Sequence, residues 1–540
     1  MTVTRRDFIA GATAAVASAA AFGFAGCAPR AQQESNSGEN LTDTGSINWD
    51  EEYDIVVVGA GLAGTSTAVT VATEGDGATC LLLEKGASPQ GDGNSIFSSG
   101  TIVQNKNPEV MLDYVKKLRG DDPTVSDAIL ETFVNAQTEH VDWLKSLGAT
   151  DFHENYFSYD GSYAPEYPEL FESDEAWQET IGSILFDGGP NGDGYTHPQA
   201  FMADKVVELS DLITFKTNAP AIRLIQDPAT KEILGVEYEE KGKSVLAKAN
   251  KGVVMCLGGY ERNNEILSNY LRAFNVHPCA GNSNTGDGID MVCAVGAKLW
   301  HMANVSGFYN NNVSLDGESF VSNAASNPRK QGIIVGKNGR RYYMDNGGFN
   351  NKNLPNRDLA CHTGYRHGDF NFGGEWIHQQ LPPVSWFVFD QVGMDNDATK
   401  SLGEDDPVAG GWGYKADTIA ELAEQMGVPA EELEKTVAFW NECCDRGEDV
   451  AFHRFEKEMN KIETGPFYAM KMMPYFLNTE GGPERNENAQ ILGLDGNPIP
   501  KLYASGEFGS IRANMYQAGD RLSECIAFGR IAARHALGIA

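Results

Sequence analysis

The sequence has few cysteines, and none of them is spaced like a metal or haem ligand. Its 540 residues contain nine Cys, with no CxxC and no CxxCH motif. This spacing excludes a c-type haem, a zinc ribbon and a cysteine-ligated iron–sulfur site, so we predict no metal site. Cys443 and Cys444 are adjacent in a predicted helix and are most simply two of its side chains. No disulfide can be assigned from the sequence.

Positive charge is also scarce. The chain has 42 Lys and Arg against 75 Asp and Glu, which gives a formal net charge of -33 and a pI of about 4.6. Such a balance argues against nucleic acid and against an anionic membrane surface as direct partners. It is typical of a solvated acidic surface, and it also suits a basic protein partner.

A long hydrophobic run is missing even from the apolar N-terminus, "MTVTRRDFIAGATAAVASAAAFGFAGC". The run is too short and too weak for a stable transmembrane helix. Arg5 and Arg6 before it indicate a twin-arginine export signal over residues 1–27. "FAGC" resembles a lipoprotein cleavage site, so Cys27 either carries a lipid anchor or follows a plain cleavage site. The polar residues 28–50 predict a disordered tether to an extracytoplasmic protein.

A glycine-rich turn follows the first strong strand signal. Ile55–Val58 is a continuous apolar run that predicts a buried parallel strand. Gly59, Gly61 and Gly64 then form G-x-G-x-x-G before a helical stretch, and Glu84 ends the next apolar run. These features together predict a dinucleotide site, with the pyrophosphate at the helix N-terminus and the acid on a ribose. At this point NAD and FAD both remain open.

The residue composition and the pattern of strand and helix signals change twice along the chain. Strand and helix signals alternate to about residue 300, and the last segment returns to that character. Between them, Gly, Asn, Pro and aromatic residues are dense, with two clear helices in "ADTIAELAEQMG" and "PAEELEKTVAFWNECCDRG". We predict an α/β dinucleotide-binding domain at 51–300 and 479–540, and an inserted domain at 301–478.

Several later motifs bear on the cofactor. They are "QGDGNSIFSSG", "CLGGYERN", "SNTGDGIDM" and "NTEGGPERNENAQILGLDGNPIPKLYASGE". As a set they resemble the flavoprotein subunits of fumarate reductases and succinate dehydrogenases, a family that includes 3-ketosteroid dehydrogenases. The resemblance covers roughly residues 52–300 and 465–540. It implies a Rossmann-like FAD-binding domain with an inserted α+β capping domain that holds the substrate. A second nucleotide fingerprint is absent, so no NAD(P)H site is predicted.

The resemblance also implies which residues contact FAD. No His lies in "GDGNSIFSSG", where flavinylated members carry theirs, so we expect noncovalent FAD. A helix beginning near Leu522 or Ser523 would point its N-terminal amides at the flavin and stabilise the reduced anion. The predicted cofactor-binding residues are Gly59, Gly61, Leu62, Ala63, Gly64, Glu84, Lys85, Asn94, Ser95, Gly100, Ala221, Gly258, Gly259, Asp287, Gly506, Glu507, Arg521 and Leu522.

On the substrate side the sequence departs from the fumarate-reducing members. Phe308 and Asn478 stand where those members carry two His, and Tyr516 stands where they carry the Arg that clamps a carboxylate. A dicarboxylate is therefore not expected. Tyr516 resembles the tyrosine that hydrogen-bonds a substrate carbonyl in ketosteroid dehydrogenases, and a donor there would stabilise charge growing on the carbonyl oxygen. The alternative is a packed Tyr.

The resemblance also implies a residue that donates a proton to the substrate. In the family an Arg follows the "GKRFxNE" strand and turn, which "GKNGRRYYMDN" resembles. Arg357 is the candidate here, although extra residues precede it. His367, Arg366 and Tyr343 are alternatives, and the predicted catalytic residues are Tyr516, Arg357, Asn478 and His367.

These inferences predict an exported FAD-dependent oxidoreductase that reduces an activated C=C bond in a small neutral alkene. Without a nicotinamide site, its electrons would come from a cytochrome or a quinol-linked membrane protein. Two alternatives stay open: a 3-ketosteroid-type dehydrogenase working in the reverse direction, and a flavin electron carrier without turnover.

Overall fold

The computed structural model describes most of the chain from residue 47 onward. The described ranges are 47–98, 100–150, 152–155, 165, 170–186, 197–271, 276–278, 281–306, 309–317, 319, 331–342, 368–370, 376–378, 384–396, 398–399, 406–452, 454, 456, 459–512, 517 and 519–539. The predicted signal, with Arg5, Arg6 and Cys27, lies outside them, as does the predicted tether up to residue 46. Asp50, at the end of that tether, donates its backbone N–H to the carbonyl oxygen of Leu246 at 3.0 Å. Its side-chain carboxylate accepts the backbone N–H of Leu246 at 2.9 Å.

Most of the described strands are short, and four of them have eight residues or more. In chain order they are β1 Glu51–Val58, β2 Cys80–Leu83, β3 Ile102–Asn105, β4 Phe152–Asn155, β5 Ile181–Phe186, β6 Ile213–Lys216, β7 Ala221–Gln226, β8 Ile233–Glu240, β9 Lys243–Met255, β10 His277–Pro278, β11 Leu299–Trp300, β12 Val305–Ser306, β13 Tyr309–Asn312, β14 Gly332–Gly336, β15 Gly368–Phe370, β16 Trp376–His378, β17 Ser385–Asp390, β18 Gly413–Ala416, β19 Phe467–Phe476, β20 Asn478–Thr479, β21 Gly482–Pro483, β22 Gln490–Leu492 and β23 Pro498–Ala504.

Eight of the described helices precede residue 300, three lie between residues 391 and 446, and the last follows β23. They are α1 Leu62–Glu74, α2 Pro108–Arg119, α3 Asp127–Gln137, α4 His140–Ser146, α5 Asp174–Thr180, α6 Pro198–Glu208, α7 Asn264–Ile266, α8 Asp287–Ala294, α9 Gln391–Asp395, α10 Ile419–Met426, α11 Ala430–Arg446 and α12 Asp520–Leu537. A 3₁₀ turn spans Asn94–Phe97 and a π-helical turn spans Leu267–Leu271. Among these described helices, none has the length and apolar character needed to cross a membrane.

The larger sheet has a parallel centre. Its strand order is β22-β23-β9-β1-β2-β6, and the strands from β23 to β6 are parallel. The strands β7, β8 and β9 form an antiparallel extension, and β22 is antiparallel to β23. Both faces of the parallel centre are covered, because Ile55 and Val57 belong to one core while Val56 and Val58 belong to the other.

Helices α1 and α12 pack against each other beside this sheet. The contact is close because a Cβ at Gly529 would lie 2.8 Å from the carbonyl oxygen of Ala63. The last helix of the chain is thereby fixed against the first helix of the dinucleotide-binding unit.

A second sheet is built from residues in the middle of the chain. Its order is β10-β19-β17-β14, and β13 and β18 also pair with β19. Helices α10 and α11 lie where the sequence predicts them, and their buried side chains share a core with β14 and β17. Cys443 is buried in α11, and Cys443 and Cys444 are free thiols. A smaller sheet has the order β3-β5-β4. The domain boundaries themselves remain a prediction.

Candidate active site

The turn between β1 and α1 contains three glycines with different surroundings. Gly59 has a φ of +97°, and a Cβ there would lie 2.2 Å from the carbonyl oxygen of Cys256. A Cβ at Gly64 would lie 1.8 Å from the carbonyl oxygen of Gly59, so a side chain would push α1 off the turn. At Gly61 the nearest atom is Ser95 Oγ at 3.4 Å. Packing thus demands the first and third glycines, whereas the second leaves room for a ligand.

Glu84 connects this turn to the end of β2. Its carboxylate accepts the backbone N–H of Ala60 at 3.0 Å and that of Gly86 at 2.7 Å. The next side chain, Lys85, lies 2.5 Å from Asp287 Oδ2, at the start of α8. These contacts hold the loops after β1 and β2 and the start of α8 around one space.

That space is a cavity at the carboxyl ends of β1, β2, β9 and β23, where open parallel sheets bind ligands. The N-terminus of α1 faces it, and the positive end of the helix dipole there suits a phosphate. Twelve of the predicted cofactor-binding residues line the cavity: Gly59, Gly61, Leu62, Ala63, Glu84, Lys85, Asn94, Ser95, Ala221, Gly258, Asp287 and Glu507.

Six predicted residues lie around the cavity without being part of its described lining: Gly64, Gly100, Gly259, Gly506, Arg521 and Leu522. Gly100 and Gly506 have φ of +76° and +75°, which favours glycine. A Cβ at Gly259 would lie 2.4 Å from Thr479 Oγ1, so this glycine lets β20 approach. Leu522 is buried in the core. These residues shape the wall, and a direct role in cofactor binding stays a prediction for them.

Sequence reasoning missed several side chains of the lining. Asn284 lies inside a motif that carried the resemblance, and Ser505 directly precedes Gly506. Cys256 and Cys525 gave no signal, because a buried Cys at a strand end or in a helix looks like any core residue. Burial raises the pKa of the Cys256 thiol to about 12, and it raises the pKa of Cys525 well above its usual value. Both are therefore neutral thiols in the wall.

Helix α12 begins at Asp520, slightly earlier than the predicted start near Leu522 or Ser523. Gly519, with a φ of +82°, precedes it. Arg521 is buried in the first turn and pairs with Glu480. Its charge thus has a fixed carboxylate neighbour within the protein.

Three buried ion pairs surround this part of the cavity wall. Each joins one arginine to one acid: Arg485 to Glu524, Arg512 to Asp520, and Arg521 to Glu480. Burial lowers the pKa of Arg485, and the nearby Glu524 opposes that shift. Burial raises the pKa of Asp520, and Arg512 opposes it. Each charge is therefore tied to its partner.

A different contact joins the 3₁₀ turn to two further acids. Asn94 Nδ2 lies 3.2 Å from Glu261 Oε1 and 3.2 Å from Glu507 Oε2. Glu261 also accepts the backbone N–H of Thr479 at 2.6 Å. The side chain of Asn94 thus holds two carboxyl groups close together at the cavity.

The predicted catalytic residues are mostly outside the described residues. This applies to Tyr516, Arg357 and His367, and also to Phe308, Arg366 and Tyr343. Asn478 is described: it lies in β20 opposite Ser306 of β12, and it is buried. Its Nδ2 has no hydrogen-bond partner among the described residues, and it is not part of the described cavity lining. The catalytic roles of all four residues stay predictions.

The cavity residues fit a flavin dinucleotide. The turn at Gly61 leaves space beside the α1 N-terminus, as a pyrophosphate requires. Asn284 lines the cavity, is buried, and has an Nδ2 without a hydrogen-bond partner in the described part of the chain, so a polar ligand could satisfy it. Across the described ranges, no group of three or more His, Cys, Asp or Glu is arranged to hold a metal ion.

Comparison with known proteins identifies the cofactor. Residues 54–520 match the FAD binding domain family. Digoxin reductase of Eggerthella lenta is 26% identical over 98% of this chain and 96% of its own length. Urocanate reductase of the same organism is 28% identical over 91% of this chain and 75% of its own length.

The fold also matches a solved structure. The 3-ketosteroid Δ1-dehydrogenase of Sterolibacterium denitrificans, in complex with 1,4-androstadiene-3,17-dione, superposes with a TM-score of 0.72. It is 19% identical and covers 90% of this chain and 100% of its own. These findings confirm three predictions: FAD as the cofactor, the Rossmann-like FAD-binding fold with a capping domain, and the resemblance to fumarate reductase-like flavoproteins.

Proposed function

Because the chain belongs to the FAD binding domain family, we propose that it is an exported FAD-dependent oxidoreductase acting on C=C bonds. Its substrate is a small neutral alkene activated by a carbonyl group, an enone or an acrylate-like ester, and not fumarate. Its electrons come from an external donor, a cytochrome or a quinol-linked membrane protein.

The choice of a neutral substrate rests on one observation about charge. Arg512 and Arg521 are the two described arginines of the loop between β23 and α12 and of the first turn of that helix. Each is buried in an ion pair, with Asp520 and Glu480 respectively. A dicarboxylate would need cationic partners to offset the loss of its hydration, and these two cations already have carboxylate neighbours. Asn478, standing where fumarate-reducing relatives carry a His, adds no charge either.

The activated alkene is supported by the named relatives. Digoxin reductase and urocanate reductase are among them, and an NADH:acrylate oxidoreductase of Vibrio harveyi is 26% identical over 90% of this chain. These are reductases of different small molecules. Their shared reaction type supports C=C reduction here, and their different substrates leave the exact alkene to experiment.

When bound, FAD would supply the hydride-transfer chemistry that reduction of such an alkene needs. The chain's own contribution is binding, charge placement and proton supply. The N-terminus of α12 favours negative charge beside the cavity. Tyr516 is proposed to donate its O–H to the substrate carbonyl, and Arg357 or His367 to supply the proton.

Export and the external donor rest on Arg5 and Arg6 and on the lack of a second nucleotide motif. Replacing both arginines with Lys should leave folded, FAD-loaded protein inside the cell. Labelling of Cys27 with a lipid precursor separates a lipid anchor from plain cleavage. Normal export of the double variant would contradict the twin-arginine route.

The central experiment is anaerobic reoxidation of the reduced protein. A panel of a methyl acrylate, a cyclic enone, a steroid enone and fumarate is mixed with it, and flavin absorbance is followed. Rapid reoxidation by one neutral alkene class, with fumarate inactive, supports the proposal. Fast reoxidation by fumarate overturns the neutral substrate, and reoxidation by a cytochrome but by no alkene favours an electron carrier.

A steroid dehydrogenase is the second candidate. The 3-oxosteroid 1-dehydrogenase of Mycobacterium tuberculosis is 30% identical over 55% of this chain. The oxidised protein is therefore also mixed with a saturated 3-oxosteroid. Bleaching of the flavin by the steroid, without reoxidation by any alkene, would favour dehydrogenation.

A further inference from the structure

The charged cluster beside the cavity contains more acids than cations. Three arginines each pair with one carboxylate, as described above. Two further acids, Glu261 and Glu507, belong to the same cluster, and the ion pairs found among the described residues include neither of them. Their negative charges therefore lack a cation of their own in that part of the chain.

These two acids are held close together. The Asn94 side-chain amide reaches both, at 3.2 Å from Glu261 Oε1 and 3.2 Å from Glu507 Oε2. Glu261 is only 2% exposed, and its Oε2 has no hydrogen-bond partner among the described residues. A carboxylate oxygen that is buried and unpartnered is costly, and a proton on the pair removes that cost.

We propose that Glu261 and Glu507 act as a pair that holds one proton beside the flavin and takes up a further proton from solvent when the flavin is reduced. The inference rests on the proposed function only in that FAD must be bound. The pair is a proton-holding site, distinct from the group that protonates the substrate.

The electrostatic surroundings agree with this assignment. Burial raises the pKa of Glu261 to about 7. Burial is also the main cause that raises the pKa of Glu507 well above its ordinary range, with Glu261 adding to it. Two close carboxyls that cannot both ionise titrate as a unit.

The other charged and titratable groups that face the pair are few. Arg521 lowers the pKa of Glu507, whereas Glu480 raises it. These two form an ion pair with each other, so their effects partly cancel. Tyr260 and Cys525 also face the pair, and both stay neutral because burial raises the pKa of each hydroxyl or thiol.

Reduction changes the charge in the cavity that Glu507 lines. Two electrons arriving from the donor make the site more negative, and this favours the protonated form of a nearby carboxyl. One O–H bond forms on the pair with a proton from solvent, and no other bond of the pair changes. Any proton that FAD itself takes up on reduction is additional to this one. On reoxidation the proton returns to solvent.

The test is a potentiometric titration of the FAD-loaded protein from about pH 5 to about pH 9. For each proton taken up together with two electrons, the midpoint potential falls by about 30 mV per pH unit. This fall corresponds to a tenfold change in the equilibrium constant. The parent protein should show a steeper segment around neutral pH, by one such proton. A straight line with a single slope over the whole range would overturn the proposal.

Glu261→Gln keeps the size of the side chain and removes the titration, so the steeper segment should disappear. Glu484→Gln is the matched control, because Glu484 pairs with Lys298 at 2.6 Å and should leave the profile unchanged. Proton uptake during anaerobic reduction, read with a pH indicator, is measured in parallel. Loss of the segment in both variants, or in neither, contradicts the assignment.

If Glu261→Gln does not fold, the pH profile of the parent protein alone tests the proposal. No alkene is involved in any arm. A protein that binds FAD and shows no steeper segment therefore defeats this inference and leaves the proposed function standing. A protein that binds no FAD defeats both.

Discussion

The guanidinium of Arg485 is enclosed with the carboxylate of Glu524, and the two side chains are 0% and 1% exposed. Glu524 also accepts the backbone N–H of Ile511 at 2.9 Å and the hydroxyl of Ser510 at 2.8 Å. Arg485 lies over the ring of Phe528. The pair thus joins the segment before β22 to helix α12 and to the loop that follows β23.

Breaking this pair should be strongly destabilising. Glu524→Gln leaves a buried guanidinium without a counter-charge, which typically costs about 3–5 kcal/mol. Urea unfolding of the FAD-loaded protein, followed by flavin fluorescence, measures the change. Glu431→Gln is the control, because its pair with Lys435 on α11 is exposed, and we expect a change within about 0.5 kcal/mol there. Equal effects of the two variants would refute a special role for the buried pair.

Glu84 should matter for cofactor affinity. Glu84→Ala removes the acceptor of the Ala60 and Gly86 N–H groups and the acid expected on the ribose. Hydrogen bonds to a charged group contribute about 1.5–3 kcal/mol, so the dissociation constant of FAD should rise by roughly 10- to 100-fold. Titration of apoprotein, prepared by releasing free FAD in acid, gives the value. Glu52→Ala, at an exposed position near the start of β1, should bind FAD like the parent.

Stability should fall at acidic pH through His140. This residue is fully buried, and burial, with Arg530 nearby, lowers its pKa to about 3. The unfolded state therefore binds the proton more readily between about pH 6.5 and pH 3, and folding loses up to about 1.4 kcal/mol per pH unit as pH falls through that window. Stability from this group is complete above about pH 6.5.

His140→Leu removes the titration, so its free energy of unfolding should decline less steeply between those pH values than that of the parent. Urea unfolding at several pH values compares the two slopes, which do not depend on any constant packing cost of the substitution. Parallel slopes for parent and variant would show that His140 does not carry the acid sensitivity.

Tyr516 is the proposed oxyanion donor, and its removal should act on rate and not on cofactor binding. Loss of one such donor typically raises a barrier by about 2.7–4 kcal/mol, so Tyr516→Phe should slow alkene reduction roughly 10²- to 10³-fold. Single-turnover reoxidation of the reduced flavin gives the rate. Tyr503→Phe is the control, because Tyr503 O–H contacts His535 at 3.1 Å, on the face of β23 next to α12. An unchanged rate for Tyr516→Phe would assign that side chain to packing.

Much of the dinucleotide site could be predicted because its signals are local. The apolar run ending at Val58, the spacing of Gly59, Gly61 and Gly64, and the position of Glu84 all reflect one strand, one turn and the next strand. Short-range sterics and hydrogen bonds decide such features, so a single sequence carries them. The helices Ile419–Met426 and Ala430–Arg446 were predictable for the same reason.

The pairing of charges could not be predicted in that way. The sequence shows Arg512 and Arg521 only as two cations of one segment, because their carboxylate partners depend on tertiary packing. Glu261 and Glu507 are far apart in the sequence, and only the folded chain places both beside Asn94. The early start of α12 depends on Gly519, whose left-handed backbone ends the preceding loop.

The packing of α12 against α1 has a consequence for the order of events during synthesis. The cavity needs Ser505, Glu507 and Cys525 from the last part of the chain, together with the first βαβ unit. A nascent chain still held by the ribosome at residue 500 has the phosphate-binding turn but only part of the cavity wall. Stable capture of the cofactor must therefore follow synthesis of α12, and a truncation that removes α12 should yield a protein that is colourless as well as unstable.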